Sequence, residues 1–131
     1  MIVDTSAIIA ILFREEGYAE FIEALSNAAG QASISAATLL ETGIVAKAAN
    51  EPRLMSQLRE LIQNFSITVV PFTEELAWQA IEAHREFGKG SGHPARLNFG
   101  DCFAYALAKA QGEPLLFKGK DFGSTDIGSA V

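Results

Sequence analysis

Short apolar runs alternate with longer segments of helical spacing along most of the chain. Four runs, several of them rich in β-branched side chains, predict strands. Between these runs, apolar residues recur at intervals of three and four, which is typical of amphipathic helices. The spacing predicts helices over 7–13, 18–28, 36–49, 52–65, 73–88 and 98–111. The predicted strands are Ile2–Val3, Ala32–Ser35, Ile67–Val70 and Leu115–Phe117.

The alternation of strands and helices determines the expected fold class. Strands that are separated by helices form a mostly parallel sheet, which is covered on both faces. We therefore predict an α/β protein with a three-layer α/β/α architecture. No repeat, low-complexity tract or linker-like stretch divides the sequence, so a single domain over residues 1–131 is expected. In such a sheet, ligands bind beyond the carboxyl ends of the strands, near the point where strand order reverses.

Composition and charge limit the cellular location and the ligands that are expected for this domain. Apolar residues make up 49% of the chain, enough for a hydrophobic core without disulfides. With one cysteine, Cys102, and no recognisable signal peptide or membrane-spanning run, a cytoplasmic protein without membrane contact is expected. The net charge of −6 disfavours nucleic acid binding if it is spread evenly. It leaves that class open if the acids cluster in one site and the bases lie elsewhere.

Two acids follow predicted strands closely and therefore belong at the binding edge of the sheet. Asp4 comes directly after the first strand, and Asp121 leaves the fourth. Each also has a purely structural alternative. Asp4, like Thr5 and Ser6 beside it, is a good N-cap for the next helix, and Asp121 suits a turn.

Glu41 lies on a predicted helix among apolar residues. It shares one helix face with them, which predicts that its carboxylate lies on the core-facing stripe. An unpartnered carboxylate there is costly, so a partner or a metal is expected. The alternative is a capping box that starts the helix at Thr38. The apolar residues of the Glu41 face are Ala37, Leu40, Ile44, Val45 and Ala48.

Asp101 lies near the start of a helix that is apolar on nearly every side. An acid is favoured near a helix N-terminus, and Asn98 is a candidate N-cap in front of it. This alternative explains the residue type but not a charge on so apolar a helix. A functional role for Asp101 is therefore expected.

Taken together, Asp4, Glu41, Asp101 and Asp121 predict a metal site. Carboxylates that converge repel one another, and some stay protonated unless a cation binds. The donors are carboxylate oxygens, without a Cys and His cluster at metal-ligand spacing, so Mg²⁺ or Mn²⁺ is expected rather than zinc. Such ions also bind substrate phosphates, which makes phosphodiester hydrolysis the expected chemistry.

The motifs around these acids resemble the PIN-domain family, in particular the VapC-type toxins of bacterial toxin–antitoxin pairs. The resemblance covers the whole chain. It implies a Mg²⁺- or Mn²⁺-dependent endoribonuclease that cuts structured RNA such as transfer or ribosomal RNA. It also implies a VapB-like antitoxin as inhibitor, and a homodimer. The motifs are Met1–Ser6, the helix with Glu41, Leu97–Cys102, Gly119–Phe122 and Thr125–Ile127.

The resemblance also assigns roles to individual residues. It implies that Asp4, Glu41, Asp101 and Asp121 are the metal-binding and catalytic acids. Supporting positions are expected at Ser6, Thr125 and Asp126. One departure is Lys120, where the family often has Asn between Gly and Asp.

Basic residues near the acid motifs predict where RNA binds. The segment from Phe87 to Phe99 contains bases but no acid, and a solvated loop is the alternative to an RNA contact. His84 and His93 belong to no acid motif and are expected on the surface rather than in catalysis. As a hypothesis, RNA phosphates are contacted by Lys89, Arg96, Lys118 and Lys120.

The first two helices carry many large apolar residues, which suggests an exposed groove for an amphipathic antitoxin helix. The alternative is that these side chains pack into the core. The residues are Ile8, Ile9, Leu12, Phe13, Phe21, Ile22 and Leu25.

Other classes of protein also gather acids at a sheet edge. A phosphotransfer receiver domain needs a pair of acids after the first strand, but here Thr5 and Ser6 follow Asp4. A haloacid-dehalogenase-type phosphatase needs a second Asp at position 6. A purely binding PIN-like domain usually lacks one or more of the four acids. A PIN-domain RNA-processing nuclease without an antitoxin remains the main alternative.

Overall fold

Four short parallel strands form one sheet in the computed structural model, which describes residues 1–131. The strand order is β3-β2-β1-β4, so the first strand lies inside the sheet and the last strand is its neighbour. Ile2 pairs with Ser33 on one side and with Leu115 on the other. The order reverses between β1 and β4, and this reversal marks the expected binding edge. The strands are β1 (Ile2–Val3), β2 (Ser33–Ser35), β3 (Thr68–Val70) and β4 (Leu115–Leu116).

Six α-helices accompany the sheet, and a short 3₁₀ helix, Phe122–Ser124, follows β4. The predicted elements are all present, with ends shifted by one or two residues. The predicted α/β class with a parallel sheet is confirmed. No helix is long and apolar enough to cross a membrane. The helices are α1 (Thr5–Leu12), α2 (Tyr18–Asn27), α3 (Ala36–Ala48), α4 (Arg53–Asn64), α5 (Glu74–Phe87) and α6 (Phe99–Gln111).

Two hydrophobic cores lie on opposite faces of the sheet. Successive side chains of a strand point to opposite faces. Ile2 and Leu115 therefore pack in the core that includes α5 and α6, whereas Val3 and Leu116 pack in the core that includes α1, α2 and α4. All four side chains are fully buried. The result is the predicted three-layer arrangement.

The orientation of α3 differs from the prediction. Its large apolar face, which includes Leu40 (65% exposed) and Ile44 (59% exposed), points outward. Its buried face is made of Thr38, Thr42 and Ala46. Because α3 packs against α1, α4 and α6, small side chains fit between the helices and the large ones stay outside. The prediction that the Glu41 face is the core-facing stripe is wrong.

The start of α3 also rules out the capping-box alternative for Glu41. Ser35 is the N-cap, and its hydroxyl accepts a hydrogen bond from the backbone N–H of Ala37 at 3.2 Å. Thr38 lies inside the first turn and is buried. Glu41 is therefore in the second turn of the helix, outside the reach of a cap.

The apolar residues of α1 and α2 contribute mainly to the core. Ile8, Phe21 and Leu25 are buried, and Phe13 is the exposed residue of this set. The alternative given for these helices, packing into the core, is therefore correct for most of their large side chains. Apolar grooves lie elsewhere, between α3 and α4 and between α5 and α6.

Candidate active site

The structure brings the four predicted acids together at the carboxyl edge of the sheet. Asp4 follows β1, Asp121 follows β4, Glu41 comes from α3 and Asp101 from α6. All four line one open pocket of about 350 Å³. The pocket lies where the strand order reverses, which is the position expected for a ligand in this kind of sheet.

Asp4 is buried and has two environments, one for each carboxylate oxygen. Oδ2 accepts hydrogen bonds from the Ser6 backbone N–H at 2.9 Å and from the Ser6 hydroxyl at 2.5 Å, so Asp4 is the N-cap of α1. Oδ1 is buried without any hydrogen-bond partner. Burial, together with the nearby charge of Glu41, raises the pKa of Asp4, although the bonds from Ser6 oppose the shift. The helix-cap alternative is therefore correct, and it leaves one carboxylate oxygen available to a ligand.

Glu41 is held through its carboxylate by a neighbouring hydroxyl. The Thr5 hydroxyl donates a hydrogen bond to Oε1 at 2.5 Å. Thr5 is the first residue of α1, so this bond joins α3 to the helix that Asp4 caps. The Glu41 side chain is half-buried and reaches from its helix to the pocket.

Asp101 forms a capping box with Asn98 at the start of α6. The Asn98 N–H donates to Asp101 Oδ2 at 2.9 Å, and the Asp101 N–H donates to Asn98 Oδ1 at 2.9 Å. Burial raises the pKa of Asp101 to about 7, and the charges of Asp4, Asp121 and Glu41 add to the shift. The four acids therefore share one electrostatic environment.

Asp121 lies at the exposed rim of the pocket, close to a lysine that also lines it. The ammonium of Lys118 donates to Glu15 at 2.5 Å, so its charge is shared with that carboxylate. The backbone N–H of Lys118 donates to the Ser6 hydroxyl at 2.9 Å. Ser6 thus connects the exit of β4 to Asp4 beside the acids, and its supporting role stays a prediction.

The donor chemistry of the pocket fits a hard divalent cation. Its candidate metal donors include four carboxylates, one buried oxygen of Asp4 has no partner, and burial together with the neighbouring negative charges raises the pKa of Asp101. A bound cation would relieve this repulsion. As the side chains stand, no three of the chain's Asp, Glu, His and Cys residues form a ready set of metal ligands. Hydrogen bonds from Ser6, Thr5 and Asn98 hold the carboxylates of Asp4, Glu41 and Asp101 in their present orientations.

Thr125 and Asp126 do not line this pocket. Asp126 accepts a hydrogen bond from the Tyr105 hydroxyl at 2.6 Å and pairs with Lys109, and these two donors lower its pKa. The Thr125 hydroxyl donates to the Phe122 carbonyl at 2.7 Å. Both residues therefore fasten the segment after β4 to itself and to α6, away from the four acids.

Three of the four bases predicted to contact RNA do not line the pocket. Lys89, Arg96 and Lys120 are exposed, and only Lys118 borders the acids. The loop of Lys89 and Arg96 is ordered by His93, whose Nδ1 accepts from the Ala95 N–H at 3.1 Å. The histidines also lie outside the acid pocket, as expected from their sequence context.

Two residues beside the acids escaped the sequence reasoning. Thr42 is fully buried and its hydroxyl lies 3.1 Å from that of Thr5. Gly100 is buried in the first turn of α6 against the Glu41 carboxylate. A glycine inside a helix is unfavourable unless a neighbour needs its space, so Gly100 was a detectable signal.

Comparisons with known proteins agree with this architecture. A profile of the PIN domain matches residues 1–128. The chain is 51% identical over 131 residues to ribonuclease VapC28 of Mycobacterium tuberculosis, an alignment that covers 100% of this chain and 98% of the relative. It is 40% identical to a VapC ribonuclease of Rhizobium meliloti, with 96% and 98% covered. The chain therefore belongs to the PIN-domain family and, within it, to the VapC ribonucleases.

Solved structures support the fold independently of sequence. VapC20 of Mycobacterium tuberculosis, described as a toxin that cleaves the sarcin–ricin loop, superposes with a TM-score of 0.76 at 19% identity, covering 96% of this chain and 95% of that one. A chain of a toxin–antitoxin complex from Klebsiella pneumoniae gives a TM-score of 0.71 at 20% identity, covering 99% and 97%. At these identities the likeness concerns the fold alone. The predicted family and fold class are both confirmed.

Proposed function

We propose that this chain is a metal-dependent endoribonuclease, the toxin of a VapBC-type pair, with Asp4, Glu41, Asp101 and Asp121 as its metal-binding and catalytic acids. The observation that carries the proposal is the gathering of four carboxylates from four separate elements in one pocket. Their mutual repulsion is a cost to the fold that a bound cation removes. The ribonuclease names of the relatives point to the same chemistry.

Mg²⁺ or Mn²⁺, when bound, supplies the Lewis acidity that phosphodiester hydrolysis needs. The chain's own residues hold and orient the acids that would carry the ion. Ser6 fixes one oxygen of Asp4 and leaves the other unpaired. Thr5 holds Glu41, and Asn98 holds Asp101 at the start of α6.

Lys118 is the base best placed to contact the substrate. It lines the acid pocket, and its ammonium is paired with Glu15 at a half-exposed position. A phosphate group of RNA would compete with Glu15 for this ammonium. Exposed ion pairs are weak, so the exchange costs little. The other three bases, Lys89, Arg96 and Lys120, lie outside the pocket and would contact the phosphates of an RNA that extends beyond it.

The test of the proposed function is RNA cleavage by the purified chain. Cleavage should require Mg²⁺ or Mn²⁺ and stop with chelator, and Asp4→Asn, Glu41→Gln, Asp101→Asn and Asp121→Asn should each abolish it. Glu82→Gln is the matched control, because Glu82 is an exposed acid outside the pocket. Undiminished cleavage in chelator would contradict the metal mechanism.

The antitoxin would bind in the groove between α3 and α4. This groove, of about 570 Å³, has an apolar floor that includes Leu40, Ile44 and Ile62, and its charged lining residues are Lys47 and Arg59. An amphipathic partner helix with acidic flanks fits such a surface. The groove takes the place of the α1 and α2 surface that the sequence suggested.

A homodimer would use a different surface, on α5 and α6. Trp78 (62% exposed) and Phe99 (79% exposed) are among its exposed apolar residues, and a cavity of about 460 Å³ between the two helices is lined almost entirely by apolar side chains. In a twofold interface each patch meets its own copy, so an uncharged patch avoids like-charge contacts. The cationic α3–α4 groove suits such self-association less well.

A further inference from the structure

Gly100 lies in direct contact with the carboxylate of Glu41. It is the second residue of α6 and precedes Asp101. A Cβ atom built on Gly100 would lie 1.5 Å from Glu41 Oε2 and 2.4 Å from Glu41 Cδ. The Glu41 carboxylate thus occupies the volume in which any other residue at position 100 would place its side chain.

Backbone conformation does not explain this glycine. Gly100 is in the first turn of a helix, and its φ is not in the left-handed region that favours glycine. At a helical position alanine is favoured over glycine. The reason for glycine is therefore the space that the Glu41 carboxylate occupies.

The opposite side of the same carboxylate is held by hydroxyl groups. The Thr5 hydroxyl donates to Oε1 at 2.5 Å, and the Thr42 hydroxyl lies 3.1 Å from the Thr5 hydroxyl. The Thr42 hydroxyl is also 2.8 Å from the Thr38 carbonyl, so its single proton is shared between two acceptors. The Glu41 carboxylate thus lies between the Thr5 hydroxyl on one side and the backbone of α6 on the other.

We propose that Gly100 is a positioning residue of the active site, whose missing side chain provides the space that keeps the Glu41 carboxylate beside Asp101. This inference rests on the proposed function, since it gives Glu41 a metal to bind. The atoms that a Cβ would meet belong to the far end of the flexible Glu41 side chain. A small side chain at position 100 therefore displaces that carboxylate and leaves the helices in place.

The experiment compares Gly100→Ala with Gly43→Ala in the full chain. Both glycines are helical, but a Cβ on Gly43 would meet only Met55 Cε at 3.9 Å, an ordinary contact. Mn²⁺ affinity, measured from the electron paramagnetic resonance signal of the free ion, should fall about tenfold or more in Gly100→Ala. It should stay at the wild-type value in Gly43→Ala. Wild-type affinity in Gly100→Ala would overturn the proposal.

A Glu41→Ala background tests whether Gly100 acts through Glu41. With the carboxylate gone, Gly100→Ala should have no further effect on Mn²⁺ affinity. An equal fold-loss in both backgrounds would show instead that α6 itself is distorted. If Gly100→Ala does not fold by circular dichroism, the double variant decides: a folded double variant supports the proposal, and an unfolded one overturns it.

A second double-mutant cycle, measured as the free energy of unfolding in chelator, separates this inference from the proposed function. Gly100→Ala should be more favourable to stability in the Glu41→Ala variant than in the wild-type chain, because the added Cβ clashes with a carboxylate only where Glu41 is present. A wild-type chain that binds no Mn²⁺ would contradict the proposed function and leave this cycle intact. Equal changes in stability in the two backgrounds would overturn the role of Gly100.

Discussion

Asp101 has two functions in one side chain. As the third residue of α6 it completes the capping box that stabilises the start of this helix, and as an acid it lies near three other carboxylates. The cap requires an acceptor at a fixed position, and that position lies in the crowded pocket. Structural and chemical explanations of this residue are therefore complementary, and the same holds for Asp4, which caps α1.

The raised pKa of Asp101, to about 7, predicts how stability depends on pH. Between roughly pH 4 and pH 7 the native state holds a proton that the unfolded state has lost, so the free energy of unfolding decreases as pH rises through this window. After allowance for partial solvent exposure we expect a loss of about 1–2 kcal/mol. Urea unfolding from pH 5 to pH 8 in chelator measures it.

Asp101→Asn is the control for this pH dependence. The amide still accepts the hydrogen bond of the capping box but does not titrate. The slope should therefore flatten, with a remainder from Asp4, whose pKa is raised in the same direction. An Asp101→Asn variant with the wild-type slope would show that another group causes the pH dependence.

Asp121 and Asp126 should differ in their effect on catalysis. Asp121 lines the acid pocket, whereas Asp126 pairs with Lys109 and Tyr105. We expect Asp121→Asn to abolish cleavage and Asp126→Asn to keep at least about half of the wild-type rate. The exposed pair with Lys109 is worth under about 1 kcal/mol, so the variant should fold. Single-turnover RNA cleavage below the melting temperature compares the two variants. An inactive Asp126→Asn variant would show that Asp126 supports catalysis.

At the scale of elements, the sequence predicts the type and order of the helices and strands, but not which face of a helix meets the core. Apolar periodicity identified α3 correctly, yet it cannot tell whether an apolar stripe meets the core or an external groove. Thr38 and Thr42 fill the tight contacts with neighbouring helices, and Leu40 and Ile44 remain outside. This choice depends on the distance between helices, which no local pattern contains.

The sequence predicts the position of a site acid where that acid closely follows a strand. A parallel sheet brings the ends of β1 and β4 together, which locates Asp4 and Asp121. Thr125 and Asp126 belong to an irregular segment whose path depends on contacts with Tyr105 and Lys109. Sequence spacing carries no information about such contacts, so their distance from the pocket could not be foreseen.

The cap of α6 predicts a combined effect on stability and activity. Asn98→Ala removes the acceptor for the Asp101 N–H and should cost about 1 kcal/mol. It also loosens the start of the helix that carries Asp101, so cleavage should fall more than stability explains. Thr73→Ala is the matched control, because Thr73 caps α5 outside the pocket. The measurements are the free energy of unfolding and the cleavage rate of both variants. Equal cleavage rates in the two variants would contradict the effect of the α6 cap on activity.

For the whole molecule, the distribution of charge matters more than the net value of −6. Four acids are concentrated in one pocket, while the α3–α4 groove carries Lys47 and Arg59. The cavity between α5 and α6 is lined by seven apolar residues and His84, without any acid, lysine or arginine. We propose that these three surfaces of different chemistry serve three different contacts: a cation with RNA, an acidic partner helix and a second copy.

Separate surfaces predict separable variants. Ile44→Glu should prevent a stable complex with the product of the upstream open reading frame when the two are co-expressed, and it should leave the dimer intact. Trp78→Glu should do the reverse, and each variant is the control for the other. Size-exclusion chromatography with light scattering measures both. Wild-type co-expression that yields free, active nuclease would instead favour an RNA-processing enzyme without an antitoxin.

The position of β1 between β2 and β4 has a consequence for the order of events during synthesis. Asp4 leaves the ribosome long before the residues that complete its pocket, because that pocket needs Asp121 and the pairing of Ile2 with Leu115. Pairing over such a separation forms late, after the loop entropy between the strands has been overcome. A growing chain therefore carries Asp4, then Glu41 and then Asp101 without a complete catalytic centre until Asp121 has been added. Nuclease activity begins only after the ribosome has read past the codon of Asp121.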